Sequence, residues 1–373
     1  SELEERLDEI RARGEPVRFE ELAPPKPADD RNAAPLYAKA KEWLDEHEIE
    51  HAEPVETIVL SRTEWGDEDW ARMRTWVDSC GPYIALIHEA TERPECWFER
   101  DLTNPLEMAI PFIPIAMDAA SLLQHRALLD AREDPMRAVS HIEALMKLAA
   151  HQFPSTLISY LVRLTHEYLA VETLKEIAKH PDLDARAARA RLDPLFRAAD
   201  RPGTFRRVLA AERAMGLYFA LEATDLSSWP MRPLAYMDAL ALLDGMAEAI
   251  ELSEQPRERA IAGYEALRRR TEALGFPYIA TKGLLPIPGR AFKEFTKHAA
   301  TMRLARIGLA LLEHKQRTGS WPEALESSAP PDPYTTKPFY YRRHGSGVRL
   351  AADAPIRPGD SREDYEGLVW ELD

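Results

Sequence analysis

The chain has 373 residues, 45% hydrophobic and 30% charged, which suits a globular protein of two or three modest domains and excludes disorder and collagen. Glycine is scarce at 16 and proline plentiful at 29, pointing to many helices with proline-marked joints rather than a β-sandwich. The charge of −15 sits almost wholly in residues 1–100, with 26 Asp and Glu against 13 Lys and Arg; the densest basic run is Arg268–Arg270, so no nucleic-acid surface is expected.

Residues 1–114 read as an acidic, partly irregular N-terminal arm. A short helix is expected over Glu2–Ala12, then a proline-rich stretch at Ala23–Pro27, then helices near Pro35–His47 and Glu68–Glu89. Trp43, Trp65, Trp70 and Trp76, four of the eight tryptophans, should anchor this arm by packing down. Cys80 and Cys96 could form one bridge or stay as small apolar residues. The longest apolar stretch, Ala109–Met117, is too short to span a bilayer. With no initiator Met and no signal peptide at Ser1, the chain reads as trimmed, and the segment ahead of it could have been a targeting one.

Residues 115–275 read as a domain of stacked helical hairpins. Its clearest helix is Ser155–His180, with Leu157, Leu161, Leu164, Tyr168, Val171 and Ile177 forming an apolar stripe that must face a helical neighbour. Asp184 and Thr204 sit where N-caps belong, ahead of Ala185–Phe196 and Phe205–Ala223. A weak repeat relates Met117-Asp118-Ala119 through Leu145 to Met237-Asp238-Ala239 through Leu267, each unit being helix, proline turn, helix. Such units are tetratricopeptide-like, and their concave faces usually bind proteins or peptides.

Residues 276–373 read as a long helix plus a small β-sheet. Gly275–Gly289 is a Pro/Gly-rich connection, the helix runs over Arg290–Thr318, and Gly319 is placed to end it in the left-handed conformation. Phe339–Arg343 and Val348–Ala352 form a hairpin across His344–Gly347, with Leu368–Leu372 as a third strand. Trp321, Phe339, Tyr341 and Trp370 should be buried against Ile307, Leu311 and Leu312. The fold class is therefore mainly α, with stacked hairpins and a C-terminal helix-plus-antiparallel-β module.

His47-Glu48-Ile49-Glu50-His51 matches H-E-x-x-H, in which two imidazoles one turn apart bind zinc and the Glu activates the bound water. Its surroundings are almost wholly charged, whereas a catalytic zinc helix packs in a core that orients its ligands. Pro54 also curtails the helix, and no G-x-x-H supplies a third ligand. The expected setting is an exposed acidic helix without cofactor; zinc on His47 and His51, with Glu48 as general base, is the alternative. Further along, Glu143, Glu167, Glu172 and Glu212, beside His141 and His166, read as inward carboxylates bonded across helices to Arg163 or Arg213. Gly345-Ser346-Gly347 is a turn, and no nucleophile elbow or Walker motif occurs.

The opening Leu7–Val17, Glu20–Pro24 and Asn32–Pro35, with the later Thr156–Arg163, resembles the segment that follows an N-terminal transmembrane anchor in a group of bacterial envelope proteins. That resemblance implies an anchor absent from this chain and a body outside the cytoplasmic membrane. Ala305–Leu311, Gly319–Leu325 and Asp332–Tyr341 resemble the helix, G-x-[YW]-P-x-x-L turn and hairpin approach of type II secretion pseudopilins, without their hydrophobic N-terminal helix. Those proteins can hold calcium in an acidic loop, for which Asp353, Asp360 and Asp364 are available but poorly spaced. The expectation is a non-enzymatic envelope scaffold for a protein or peptide partner. A zinc hydrolase and a secretion-apparatus component are the alternatives.

Overall fold

Proline marks helix starts in this chain, lying in the first turn of α2 (Ala34–Glu46), α4 (Gly81–Thr91), α6 (Pro135–His151), α10 (Arg232–Leu252) and α13 (Ile287–Thr318), where its missing N–H has no intrahelical acceptor to lose. The computed structural model describes residues 2–47, 66–99, 112–152, 156–223, 230–353 and 368–372. Within them the chain is mainly α, ending in one small antiparallel sheet.

The N-terminal part carries α1 (Glu2–Ala12), a 3₁₀ turn at Phe19–Leu22, α2, α3 (Asp67–Ser79) and α4. The single helix expected near Glu68–Glu89 is two helices broken at Cys80, because Pro82 cannot donate and would clash with the turn before it. Trp43, Trp70 and Trp76 are half-buried against the main core; Trp65 lies outside the described residues. Asn32 pins the arm, donating to the Trp97 carbonyl at 3.0 Å and accepting from the Trp97 amide at 2.8 Å. Cys80 and Cys96 are not bridged.

The central helices are α5 (Phe112–Ala131), α6, α7 (Leu157–Ile177), α8 (Ala185–Ala199), α9 (Thr204–Tyr218), α10 and α11 (Arg257–Glu272), with a π turn at Phe219–Ala223. Asp134, Thr156 and Asp184 cap α6, α7 and α8 through their side-chain oxygens. Thr204 is not a cap: Gly203 takes that position with φ 77°, and Thr204 enters the first turn with its hydroxyl donating back to the Arg201 carbonyl at 2.9 Å. On α7 the buried stripe runs Leu157, Tyr160, Leu164, Glu167, Val171, Leu174, spaced three and four apart. Leu161 and Tyr168, expected on the stripe, flank it and are half-buried. Glu167, expected to point inward, takes a place on the stripe itself.

The two repeat units become helix pairs, α5 with α6 and α10 with α11, but their matching aspartates differ in use. Asp118 is half-exposed, whereas Asp238 is fully buried and accepts from the amides of Ala280 at 2.8 Å and Thr281 at 3.1 Å. That cap starts α12 (Ile279–Leu284) inside the stretch expected to be an irregular connection. The oxygen atoms come from a helix some 40 residues away in sequence, so local reading could not place it.

Long helix α13 ends at Gly319, φ 76°, as expected. Strands β1 (Tyr340–His344), β2 (Gly347–Ala351) and β3 (Val369–Leu372) pair antiparallel in that order, aligning Tyr341, Leu350 and Trp370 in one row. Val348, Leu350, Trp370 and Leu372 form the buried face, while Tyr340 on edge strand β1 faces water. Trp370 lies over Gly308 of α13 so closely that a Cβ there would stand 2.2 Å from its ring. Trp321 is buried and donates Nε1–H to the Ser346 carbonyl at 2.7 Å, and the Tyr341 hydroxyl donates to the Pro322 carbonyl at 2.6 Å. The buried Asp332 carboxylate accepts the amides of Tyr334 at 2.8 Å and Asp353 at 2.6 Å, which holds the chain's approach to the sheet.

The buried apolar residues form two clusters. One joins α2–α6, α8 and the sheet to the C-terminal halves of α7 and α13. The other joins α1 and α9–α12 to the opposite ends of the same two helices. Both cores are therefore threaded on α7 and α13.

Candidate functional site

Three arrangements of side chains have the chemistry to be sites, and the first is the H-E-x-x-H segment. His47 is the C-cap of α2; its ring stacks on Trp43 at 4.3 Å, with Nδ1 2.8 Å from the Trp43 carbonyl. Glu48 and His51 lie outside the described residues.

The second is a buried polar knot that joins α4, α5, α6 and α8. His141 Nε2 lies 3.0 Å from Asp130 Oδ2, and its Nδ1 lies 2.7 Å from His88 Nε2. Arg126 and Arg137 also donate to Asp130, at 3.0 and 2.9 Å. Burial pushes the Asp130 carboxyl up, but hydrogen bonds from His141, Arg126 and Arg137 outweigh it and hold the group at about 2. Burial, then repulsion from His141, pushes His88 down to about 4. The chain is satisfied when His141 donates Nε2–H to the carboxylate and accepts His88 Nε2–H. Such a relay can orient an imidazole and move a proton. Beside it, Lys147 pairs with Glu92 at 2.8 Å and Glu143 at 2.9 Å, and Arg191 reaches Glu143 at 2.7 Å. The charges of Glu92, Glu143, Lys147 and Arg191 are thus spent on other helices, which is how a structural tie is built.

The other inward carboxylates are also bonded, but Glu167 and Glu172 find their cations within α7 rather than across helices. Glu167 accepts from Arg163 at 2.9 Å and touches His298 Nε2 at 2.6 Å, off the direction of a good hydrogen bond. Burial raises the Glu167 carboxyl, but the charges of Arg163 and His298 outweigh it and hold it at about 2. Glu172 pairs with Lys175 at 2.7 Å. Glu212 accepts the Leu157 amide at the start of α7, and burial pushes its carboxyl up to about 6. Arg213 does not meet Glu212; it is buried against Glu15 at 2.8 Å and the Pro16 carbonyl at 3.1 Å. His166 is buried, its Nδ1 meets no hydrogen-bond partner among the described residues, and burial holds the ring neutral down to about 4.

The third arrangement is open to solvent. Arg189, Asp193 and Arg197 recur every four residues along one face of α8, and Ile307, Ala310, Leu311 and His314 recur at three and four along α13. Between these faces lies a groove of about 350 Å³, closed on its third side by Pro322, Leu325, Glu326 and Ser328–Pro330. Arg306 Nε and Arg197 Nε share the Asp193 carboxylate at 2.8 and 2.6 Å, so donors outnumber acceptors at that edge. Arg189 reaches Glu313 at 2.7 Å. The floor is apolar and the wall carries three guanidinium groups beside the carboxylates of Asp193 and Glu326, which suits a segment carrying both apolar side chains and carboxylates. The sequence predicts both helices, but nothing in it brings α8 beside α13.

No family model, no curated protein and no solved structure matches this chain. Among the described residues, no helix is long and apolar enough to cross a membrane.

Proposed function

We propose that the protein is a non-enzymatic helical scaffold of the bacterial cell envelope that holds an extended protein segment in the groove between α8, α13 and residues 322–330. The observation that carries this reading is the groove itself: an apolar floor at Ile307, Ala310 and Leu311 beneath guanidinium groups from two helices. An extended segment places alternate side chains toward the floor and can set a carboxylate against Arg197 or Arg306. The wall that closes the groove belongs to the part of the chain resembling type II secretion pseudopilins, and the N-terminal resemblance supports a place outside the cytoplasmic membrane.

A displayed library of short random peptides provides the test. Selection on the full chain should enrich sequences combining apolar residues with Asp or Glu. Ala310→Trp, which fills the groove from a half-buried position, should weaken those peptides by about tenfold or more, or about 1.4 kcal/mol. Failure to enrich any peptide, or binders indifferent to Ala310→Trp, would overturn the proposal.

A further inference from the structure

Eight large apolar side chains stand most exposed among the described residues, and four of them lie on or beside α12: Met237, Phe276, Ile279 and Ile287. Phe276 is 69% exposed. Scattered single apolar residues on a surface are ordinary, but a cluster of this kind marks an interaction site. The cluster is held together by the fold. Asp238, next to Met237 on α10, caps the first turn of α12, next to Ile279. Lys282 Nζ reaches back to the Leu274 carbonyl at 2.8 Å, bringing α12 over the Phe276 turn. Ile287 opens α13 three residues after α12 ends.

The stretch of chain between Glu272 and Glu294, which carries Phe276, Ile279 and Ile287, is basic in a molecule that is acidic. Residues 257–293 carry eight Lys or Arg against three Glu, and residues 273–293 carry no acid at all, in a chain of net −15. Lys282, Arg290 and Lys293 are exposed within that acid-free stretch. Exposed aromatic and aliphatic side chains at helix ends, flanked by cations, suit the headgroup region of a bilayer: the apolar groups enter below the phosphates and the cations pair with anionic lipid. An acidic body would be repelled by the same lipid, so a basic, apolar face also fixes which way the molecule sits.

We propose that the α12 surface, formed by Phe276, Ile279 and Ile287 with Lys282 and Arg290, is a peripheral contact for an anionic bilayer. It is independent of the peptide groove, because Ile287 and Leu311 lie 24 residues apart on one helix, about 36 Å at 1.5 Å per residue.

Flotation of the full chain with vesicles of phosphatidylcholine, alone or mixed with phosphatidylglycerol, tests it. The protein should float with the mixed vesicles and stay behind with phosphatidylcholine alone. Phe276→Ser with Ile279→Ser, and separately Lys282→Glu with Arg290→Glu, should each reduce flotation by about tenfold. All four side chains are exposed, so melting temperatures should be unchanged, and Ala310→Trp should float as the unaltered chain does. The proposal fails if the unaltered chain ignores anionic vesicles, or if both double variants float equally well. It also fails if the substitutions abolish a dimer seen by size exclusion while no vesicle binding occurs, since the surface would then be a self-contact.

Discussion

His88, His151 and His166 are imidazoles placed where protonation is penalised. His151 shows why the fold tolerates one: its Nε2–H donates to the Arg93 carbonyl at 2.9 Å, which leaves Nδ1 to accept the Tyr37 hydroxyl at 2.8 Å. Burial lowers all three from 6.5 to about 4. The unfolded chain therefore binds protons near 6.5 that the folded chain refuses, and stability falls as pH drops from 6.5 to 4. Glu212 works the other way, since its raised carboxyl lets the fold gain stability as pH falls from about 6 to 4.5. Asp130 and Glu167, both held at about 2, add their losses only below the ordinary carboxylate range. Three imidazoles against one carboxyl predict a net loss, so the melting temperature should decline steadily as pH is lowered between those limits. His166→Leu should flatten that decline. A melting temperature that holds level across the window would show that these rings accept protons inside the fold.

At the scale of one helix, α7 belongs to both cores: Leu157, Tyr160 and Leu164 serve one, and Ala170 through Ile177 the other. Leu164→Ala should cost about 2–5 kcal/mol, measured by denaturant unfolding, because a fully enclosed site cannot collapse around the lost atoms. Leu161→Ala, on the flank, should cost clearly less, since water already reaches part of its side chain. Equal costs would mean that the stripe has been placed one position wrong. Helix α13 shows the same economy of shape at Gly308, where a residue that weakens an isolated helix is required because Trp370 occupies the space of its side chain.

For the molecule as a whole, the C-terminal sheet closes one end of the larger core. Val348, Leu350, Trp370 and Leu372 belong to the same core as α13, with Trp370 lying against Gly308, and a short hairpin on its own would be marginal in water. Deleting Asp332–Asp373 should therefore uncover an apolar stripe and produce aggregation, seen as a shift to the void volume in size exclusion. A truncated chain that stays monomeric with an unchanged melting temperature would show the sheet to be an appendage. The same deletion leaves the cluster around α12 intact, since its residues belong to the other core and to α13's opposite end.

Local chemistry was enough to read most of the helices, the Asp184 and Gly319 boundaries and the C-terminal hairpin, because each depends on residues a few positions apart: an apolar period, a capping oxygen, a glycine at positive φ. The burial of Phe339 and Trp370 was legible for the same reason, since strand alternation fixes which side chains share a face, whereas Tyr341, expected to be buried with them, is half-buried. What packing decided lay beyond that range. The start of α12 depends on Asp238, the tie at His88 needs His141 and Asp130 from other helices, and the groove along Ile307–His314 needs α8 beside α13. Glu167 was legible as an inward carboxylate, but a search for apolar period passes over a charge on the buried stripe. Whether that charge can stay there is decided by Arg163 one turn away and by His298 from α13, which only the assembled fold brings together.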